Sequence, residues 1–207
     1  PEVIFLSEAF SRPKVMNTLA KLGFNNSYTY FTWRNTKDEL QQYCQQLFET
    51  ELSEYFRPNF WPNTPDILHE YLVHGGRPAH IIRLILAATL SSSYGIYGPP
   101  YEHVDNNQHP DREEYANNEK YEIRTWNWND PNSLQPIIER INRIRKEHPA
   151  LQQMRNLNFH EGERGRSNSR RRQSGSLPDP RRYRASAARR AQPTAGQPVS
   201  RARPARR

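Results

Sequence analysis

Apolar positions in this chain follow two patterns that alternate, short continuous runs and longer repeats with helical spacing. The run from Val3 to Leu6 is typical of a strand buried on both faces of a parallel sheet. A helix is predicted next, opened by Ser11 and Pro13 and closed by Gly23, with one apolar face. A second strand is predicted from Tyr28 to Trp33.

The segment after Asn35 carries the clearest helix signal. Thr36 and Glu39 have the spacing of a capping box, and apolar residues recur with helical spacing from Leu40 to Phe56. Cys44 lies on the apolar face of this helix, which favours core packing over a reactive thiol. One helix of about five turns is therefore expected.

Strand and helix signals continue to alternate in the following residues. Pro62 and Pro65 exclude a central strand in RPNFWPNTPDIL and predict a loop that carries Asp66. A helix is predicted over 78–90, a short strand in SYGIYG, and a long loop over 99–118. The last helix is predicted to open near residue 131 and stop at residue 149. This order predicts parallel βαβ units, of which about four can be counted.

Composition divides the 207-residue chain into two parts. Hydrophobic residues make up 34% and the mean hydropathy is −1.03, which is low for one compact core. Residues 1–161 hold 16 Lys and Arg against 20 Asp and Glu, whereas residues 162–207 hold 14 Arg against two acids. We therefore predict a folded part over 1–161 and a disordered Arg/Pro/Ala-rich tail over 162–207.

Two interpretations of the basic tail remain open. An arm that binds RNA or DNA without sequence preference would explain its positive charge. A frame change in GC-rich coding DNA would explain why the basic residues are all arginine, and this is the interpretation we favour.

Several classes of protein are disfavoured. Cys44 is the single cysteine, so neither an internal disulfide nor a cysteine metal cluster is expected. His69 and His74 are five residues apart, whereas the helical zinc motif needs four, so no metal site is predicted. Because apolar runs are far shorter than the ~20 residues of a membrane span, no membrane association is predicted and a cytoplasmic location is expected. The sequence begins with Pro1 and shows no signal-peptide pattern near it, so we expect a fragment whose start lies upstream.

Glu8 is the first candidate for catalysis. It follows the apolar run Val3–Leu6, and ligands of parallel α/β folds bind at the carboxyl ends of the strands. The alternative is an acid in the first turns of the next helix, where the helix dipole favours it.

Three stretches resemble one family: FLSEAFSRPKVMNTLAKLGFNNSYTYFTWRN, RPNFWPNTPDIL and NNEKYEIR. They are similar to bacterial maltosyltransferases of the α-amylase clan, which use maltose 1-phosphate to extend α-1,4-glucans at their non-reducing ends. The resemblance runs from Pro1 to about His160 and implies the second half of a (β/α)8 TIM barrel, about four βα units. It also implies a homodimer with no metal or redox cofactor. The catalytic nucleophile of the family is an aspartate, which the resemblance places upstream of Pro1.

The resemblance gives roles to four residues. Glu8 matches the proton donor, Asp66 the carboxylate that stabilises the transition state, and Lys120 and Tyr121 the pair that contacts sugar. Pro65 stands where most amylases have histidine, which favours phosphosugar transfer over starch hydrolysis.

Three further points stay open. The alternative for Lys120 and Tyr121 is a solvated charge beside a packed ring, and Trp126 and Trp128 suit either sugar stacking or core packing. Two functions compete: part of a maltosyltransferase, or a barrel remnant that binds nucleic acid through its tail. The 207-residue chain alone is expected to be inactive and to aggregate or remain loosely ordered, because residues such as Val3, Ile4 and Phe5 would lack neighbours.

Overall fold

The computed structural model describes residues 3–120 and 122–159, which lie within one compact unit, Pro1–His160. This part combines helices with a small parallel sheet, as predicted for an α/β fold. The predicted disordered tail, 162–207, lies outside the described residues, and so does Tyr121.

The sheet has three short parallel strands in the order β1-β2-β3. They are β1 (Leu6–Ser7), β2 (Asn26–Tyr28) and β3 (Pro58–Asn59). Ser27 is the central residue, since it pairs with Ser7 on one side and with Pro58 on the other. A parallel bridge between Phe60 and Tyr94 extends the sheet beyond β3, so the strand predicted in SYGIYG is reduced to one bridge.

The prediction that the run Val3–Leu6 is buried is wrong for this structure. Val3, Ile4, Phe5 and Leu6 are 61%, 73%, 57% and 56% exposed. Strand β1 pairs with β2 alone among the described strands, so one of its edges remains open. The sheet therefore has an apolar edge, as expected above for residues that lack neighbours.

The second predicted strand is shorter than expected. Strand β2 ends at Tyr28, and residues Tyr30–Trp33 form a 3-10 helix instead. The Thr29 hydroxyl accepts a hydrogen bond from the Phe31 amide at the start of this turn. Because Thr29 also donates to the Asn59 carbonyl at 2.9 Å, the change of direction is fixed by β3.

Helix α1 spans Pro13–Lys21 and ends before Gly23, whose φ of +109° favours glycine. The predicted long helix is divided into α2 (Lys37–Phe48) and α3 (Leu52–Tyr55). The capping box at Thr36 and Glu39 is confirmed. The division occurs at Thr50, whose hydroxyl donates to the Gln46 carbonyl and accepts from the Leu52 amide, competing with the backbone ladder.

Helix α4 (Glu70–Leu90) begins earlier than predicted and is kinked at Gly76, where φ is +53°. A short helix, α5 (Gly98–Glu102), lies where a loop was predicted. Helix α6 (Gln135–Glu147) carries the predicted apolar face and ends before Pro149.

Two apolar clusters form the core. The first surrounds Phe60, which stacks on Phe31 with 4.6 Å between ring centroids, and it includes the fully buried Cys44. The second lies between α4, α5 and α6 and contains Leu84, Tyr101 and Leu134. Within the described part of the chain, no helix combines the length and apolar character needed to cross a bilayer.

Candidate functional site

The register of the sheet places Glu8 beside Tyr28 at the carboxyl ends of their strands. Ser7 pairs with Ser27, so the next residue of each chain segment is Glu8 and Tyr28 respectively. Burial raises the pKa of Tyr28, and the charge of Glu8 raises it further. The Tyr28 ring lies 4.9 Å from the ring of Trp61, which follows β3. Glu8, Tyr28 and Trp61 therefore follow one another across the carboxyl ends of the three strands.

Glu8 is an exposed carboxylate with an altered affinity for protons. Burial of part of the side chain raises its pKa, the charge of Asp66 raises it further, and Lys120 lowers it. These three residues therefore share one electrostatic environment although they are far apart in the sequence. A carboxyl with a raised pKa is suited to proton donation.

Asp66 lies in a tight turn. The Thr64 and Ile67 backbones exchange two hydrogen bonds of 3.1 and 3.2 Å, and the Asp66 amide donates to the Thr64 hydroxyl at 3.2 Å. The Asp66 carboxylate forms an ion pair with the ammonium of Lys120. From this turn the charge of Asp66 raises the pKa of Glu8.

Asn63, which precedes this turn, is fully buried and connects it to another segment. Its amide oxygen accepts from the Tyr97 amide at 2.9 Å, and its nitrogen donates to the Tyr97 carbonyl at 3.2 Å. The same nitrogen donates to the Tyr115 hydroxyl at 2.6 Å. Three hydrogen bonds therefore join the Asp66 loop to the segment after α4.

Lys120 extends from a segment that is fixed by Glu119. The Glu119 carboxylate accepts hydrogen bonds of 3.0 Å from the Tyr97 hydroxyl and from the Trp126 indole nitrogen. Tyr121, the other residue expected to contact sugar, lies outside the described residues.

Trp126 and Trp128 differ in their surroundings. Trp126 stacks on His103 at 5.1 Å, and the Arg124 guanidinium lies 4.1 Å from its ring. Trp126 therefore packs against neighbouring side chains of its own region. Trp128 is 60% exposed, which leaves its indole accessible to a ligand.

Sequence reasoning missed the aromatic residues next to Glu8. Phe10 contacts the rings of Tyr28 and Trp33, with centroid distances of 5.9 and 5.4 Å. Trp33 also donates a 2.9 Å hydrogen bond to Glu113. Pairing the two predicted strands, with side chains alternating between the faces of the sheet, would have placed Tyr28 beside Glu8. The position of Trp33 depends on a turn held by long-range contacts, which leaves no such pattern in the sequence.

The arrangement has the groups needed for acid catalysis on a polar substrate. It offers one carboxyl that retains its proton more readily, one carboxylate, one ammonium group and several aromatic faces. Among residues 3–120 and 122–159, no three His, Cys, Asp or Glu side chains form a group that could hold a metal.

Comparison with curated proteins shows which enzymes this chain is similar to. The chain is 70% identical over 159 residues to an α-1,4-glucan:maltose-1-phosphate maltosyltransferase of Salinibacter ruber, a match that covers 77% of this chain and 24% of the relative. The chain is homologous to part of these maltosyltransferases. The enzyme of the same name from Chlorobaculum tepidum is 58% identical over 159 residues, with the same coverage of both chains. That of Methylacidiphilum infernorum is 52% identical over 167 residues, covering 80% of this chain and 25% of the relative.

The chain spans about a quarter of the length of the maltosyltransferases it matches. No protein-family model matches it. The matched length agrees with the extent of the resemblance, which runs from Pro1 to about His160.

Proposed function

We propose that residues 1–161 are part of a retaining maltosyltransferase that moves maltosyl units from α-maltose 1-phosphate to the non-reducing ends of α-1,4-glucans. The observation that carries this proposal is the 70% identity to an enzyme named for that donor and acceptor. The shared electrostatic environment of Glu8, Asp66 and Lys120 supports it independently.

The proposed architecture is the second half of a (β/α)8 barrel. Three parallel strands and one parallel bridge lie in chain order, as successive barrel strands do. The candidate residues follow the carboxyl ends of these strands, where barrel enzymes place their chemistry. The open edge of β1 would pair with the preceding strand of the complete enzyme.

Glu8 is assigned the role of proton donor and then acceptor. In the first step a carboxylate attacks the anomeric carbon, the bond to the phosphate oxygen breaks, and Glu8 gives its proton to the departing phosphate. In the second step the hydroxyl of the glucan attacks the same carbon, the bond between that carbon and the enzyme carboxylate breaks, and Glu8 takes the proton of the hydroxyl. The raised pKa of Glu8 favours the protonated form that the first step needs.

Asp66 is assigned to stabilise positive charge on the sugar ring, and Lys120 to donate hydrogen bonds to sugar hydroxyls. Asp66 and Lys120 form an ion pair with each other, and the charges of both act on the pKa of Glu8. Tyr121 is assigned a sugar contact through the resemblance alone. We assign the attacking carboxylate to a residue of the complete enzyme outside this chain.

A hybrid enzyme tests the proposal. In it, the matching 159 residues of the Salinibacter ruber enzyme are replaced by those of this chain. We expect the hybrid to release phosphate from α-maltose 1-phosphate when glucan is present and to lengthen the glucan by maltosyl units. A soluble hybrid with the circular dichroism of its parent and no phosphate release would contradict the proposal.

A further inference from the structure

We propose that Asn118 is a positioning residue that holds Lys120 against Asp66. The inference rests on the proposed function, because it concerns how the same sugar-binding pair is organised. Asn118 acts through the backbone on both sides of the ion pair.

The side-chain amide of Asn118 joins two segments. Its nitrogen donates to the carbonyl of Pro65, the residue that precedes Asp66. Its oxygen accepts a 2.9 Å hydrogen bond from the amide of Lys120. One side chain therefore fixes the backbone next to each member of the ion pair.

Burial makes these hydrogen bonds consequential. Asn118 is 4% exposed, whereas its neighbour Asn117 is exposed. A buried amide that loses its partners costs about 1–3 kcal/mol, while an exposed amide that loses water contacts costs little. Asn118 is consequently bound in one orientation.

The ion pair does not supply this order by itself. The side chains of Lys120 and Asp66 are 38% and 44% exposed. Pairs this exposed contribute about 0–1 kcal/mol, because solvent screens them and two flexible side chains must be held still. The hydrogen bond from the Lys120 amide to Asn118 adds a backbone contact that is independent of this exposed pair.

The two contacts need one side chain that both donates and accepts hydrogen bonds. Aspartate can accept from the Lys120 amide but cannot donate to the Pro65 carbonyl when ionised. Alanine can do neither. Asn118→Asp and Asn118→Ala thus separate the two contacts, and Asn117→Ala is the matched control.

The first test uses amide hydrogen exchange in the hybrid enzyme. In Asn118→Ala, we expect exchange at the Lys120 amide to be at least about tenfold faster, because its acceptor is lost. Exchange within α2 should be unchanged, and Asn117→Ala should match the unmodified chain. Unchanged exchange at Lys120 in Asn118→Ala would overturn the inference, and so would equal acceleration in Asn117→Ala.

Asn118→Asp gives the conservative variant of this test. This variant retains an acceptor for the Lys120 amide, so exchange at Lys120 should be as slow as in the unmodified protein and slower than in Asn118→Ala. Fast exchange at the Lys120 amide in Asn118→Asp would show that the side-chain oxygen of residue 118 does not protect this amide, and would contradict the inference.

The second test uses the hybrid enzyme and its pH profile. Lys120 lowers the pKa of Glu8, so its displacement should move the alkaline limb of kcat/KM to higher pH. We expect Asn118→Ala to reduce kcat/KM on the order of tenfold to a hundredfold, mostly through KM. Asn117→Ala should change neither kcat/KM nor its pH profile.

The two proposals fail in different ways. If the unmodified hybrid is inactive, the proposed function fails while the exchange test of Asn118 still stands. If the hybrid is active and Asn118→Ala has the activity and pH profile of Asn117→Ala, the positioning role is wrong.

Discussion

Arg83 provides a prediction in which a conservative change is more harmful than a radical one. The side chain is 2% exposed in the middle of α4. Its two terminal nitrogens donate to the carbonyls of Arg34 and Phe31 at 2.7 and 2.6 Å, and its guanidinium lies 3.8 Å from the Phe31 ring. Within the described residues it forms no ion pair with a carboxylate.

Arg83→Lys keeps the charge but not the fork of two donors. A lysine ammonium can satisfy one of the two carbonyls, and a lost hydrogen bond from a charged donor costs about 1.5–3 kcal/mol. Burial lowers the pKa of Arg83 to about 10. At 1.36 kcal/mol per unit, keeping a charge in this environment costs about 3 kcal/mol, and lysine retains that cost.

Arg83→Met removes the donors and the buried charge together, so part of the loss is offset. The Phe31 carbonyl also keeps a 2.9 Å hydrogen bond from the Arg34 amide. We expect Arg83→Lys to lower the free energy of unfolding by about 2–4 kcal/mol and Arg83→Met to lower it by less.

Urea unfolding of the hybrid enzyme, followed by tryptophan fluorescence, measures both changes. Arg143→Lys is the matched control, because Arg143 is exposed and its ion pair with Glu139 on the surface of α6 contributes about 0.5 kcal/mol or less. A lysine variant as stable as the unmodified chain, or a methionine variant less stable than the lysine variant, would refute the reasoning.

Three further predictions concern packing and ionisation. A Cβ at Gly95 would lie 2.5 Å from a tryptophan ring, so Gly95→Ala should lower the free energy of unfolding by about 1–3 kcal/mol, whereas Gly98→Ala, with open space around it, should not. Burial raises the pKa of Cys44 to about 12, so iodoacetamide at pH 8 should modify it in urea but not in the folded chain; equal rates would contradict this. Burial lowers the pKa of His80, so the unfolded chain binds a proton at this residue more readily than the folded chain does. At pH values below about 6.5 the free energy of unfolding should therefore decrease, and acid titrations should show a smaller decrease for His80→Met.

Local chemistry explains what could be predicted from the sequence. The capping box needs only Thr36 and Glu39 at the right spacing, and it forms as expected. The end of α6 follows similarly from Pro149. Both signals lie within a few residues of the structure they determine.

Tertiary contacts explain what could not be predicted. The turn at Tyr30–Trp33 replaces a predicted strand because Thr29, at its start, donates to the Asn59 carbonyl of β3 and the distant Arg83 donates to the Phe31 and Arg34 carbonyls. Asn118 gives no sequence signal of its own, since its partner is the carbonyl of Pro65, 53 positions away. Single-sequence patterns do not encode such pairings.

The exposed run Val3–Leu6 shows a different limit. Its apolar character indicates the burial that a parallel strand normally has, but burial depends on a second layer. That layer is absent among the described residues, and these side chains face solvent. The proposed barrel would supply the missing layer in the complete enzyme.

The most direct test of the proposed function is Glu8→Gln in the hybrid enzyme, measured as phosphate release from α-maltose 1-phosphate in a single turnover. Glutamine keeps the shape of the side chain but cannot transfer a proton, so we expect the rate to fall by about 10²–10⁴-fold while donor affinity is largely retained. Lys146→Gln, an exposed change on α6, should leave the rate unchanged. Turnover by Glu8→Gln at the rate of the unmodified hybrid would contradict the assignment of Glu8 as the proton donor.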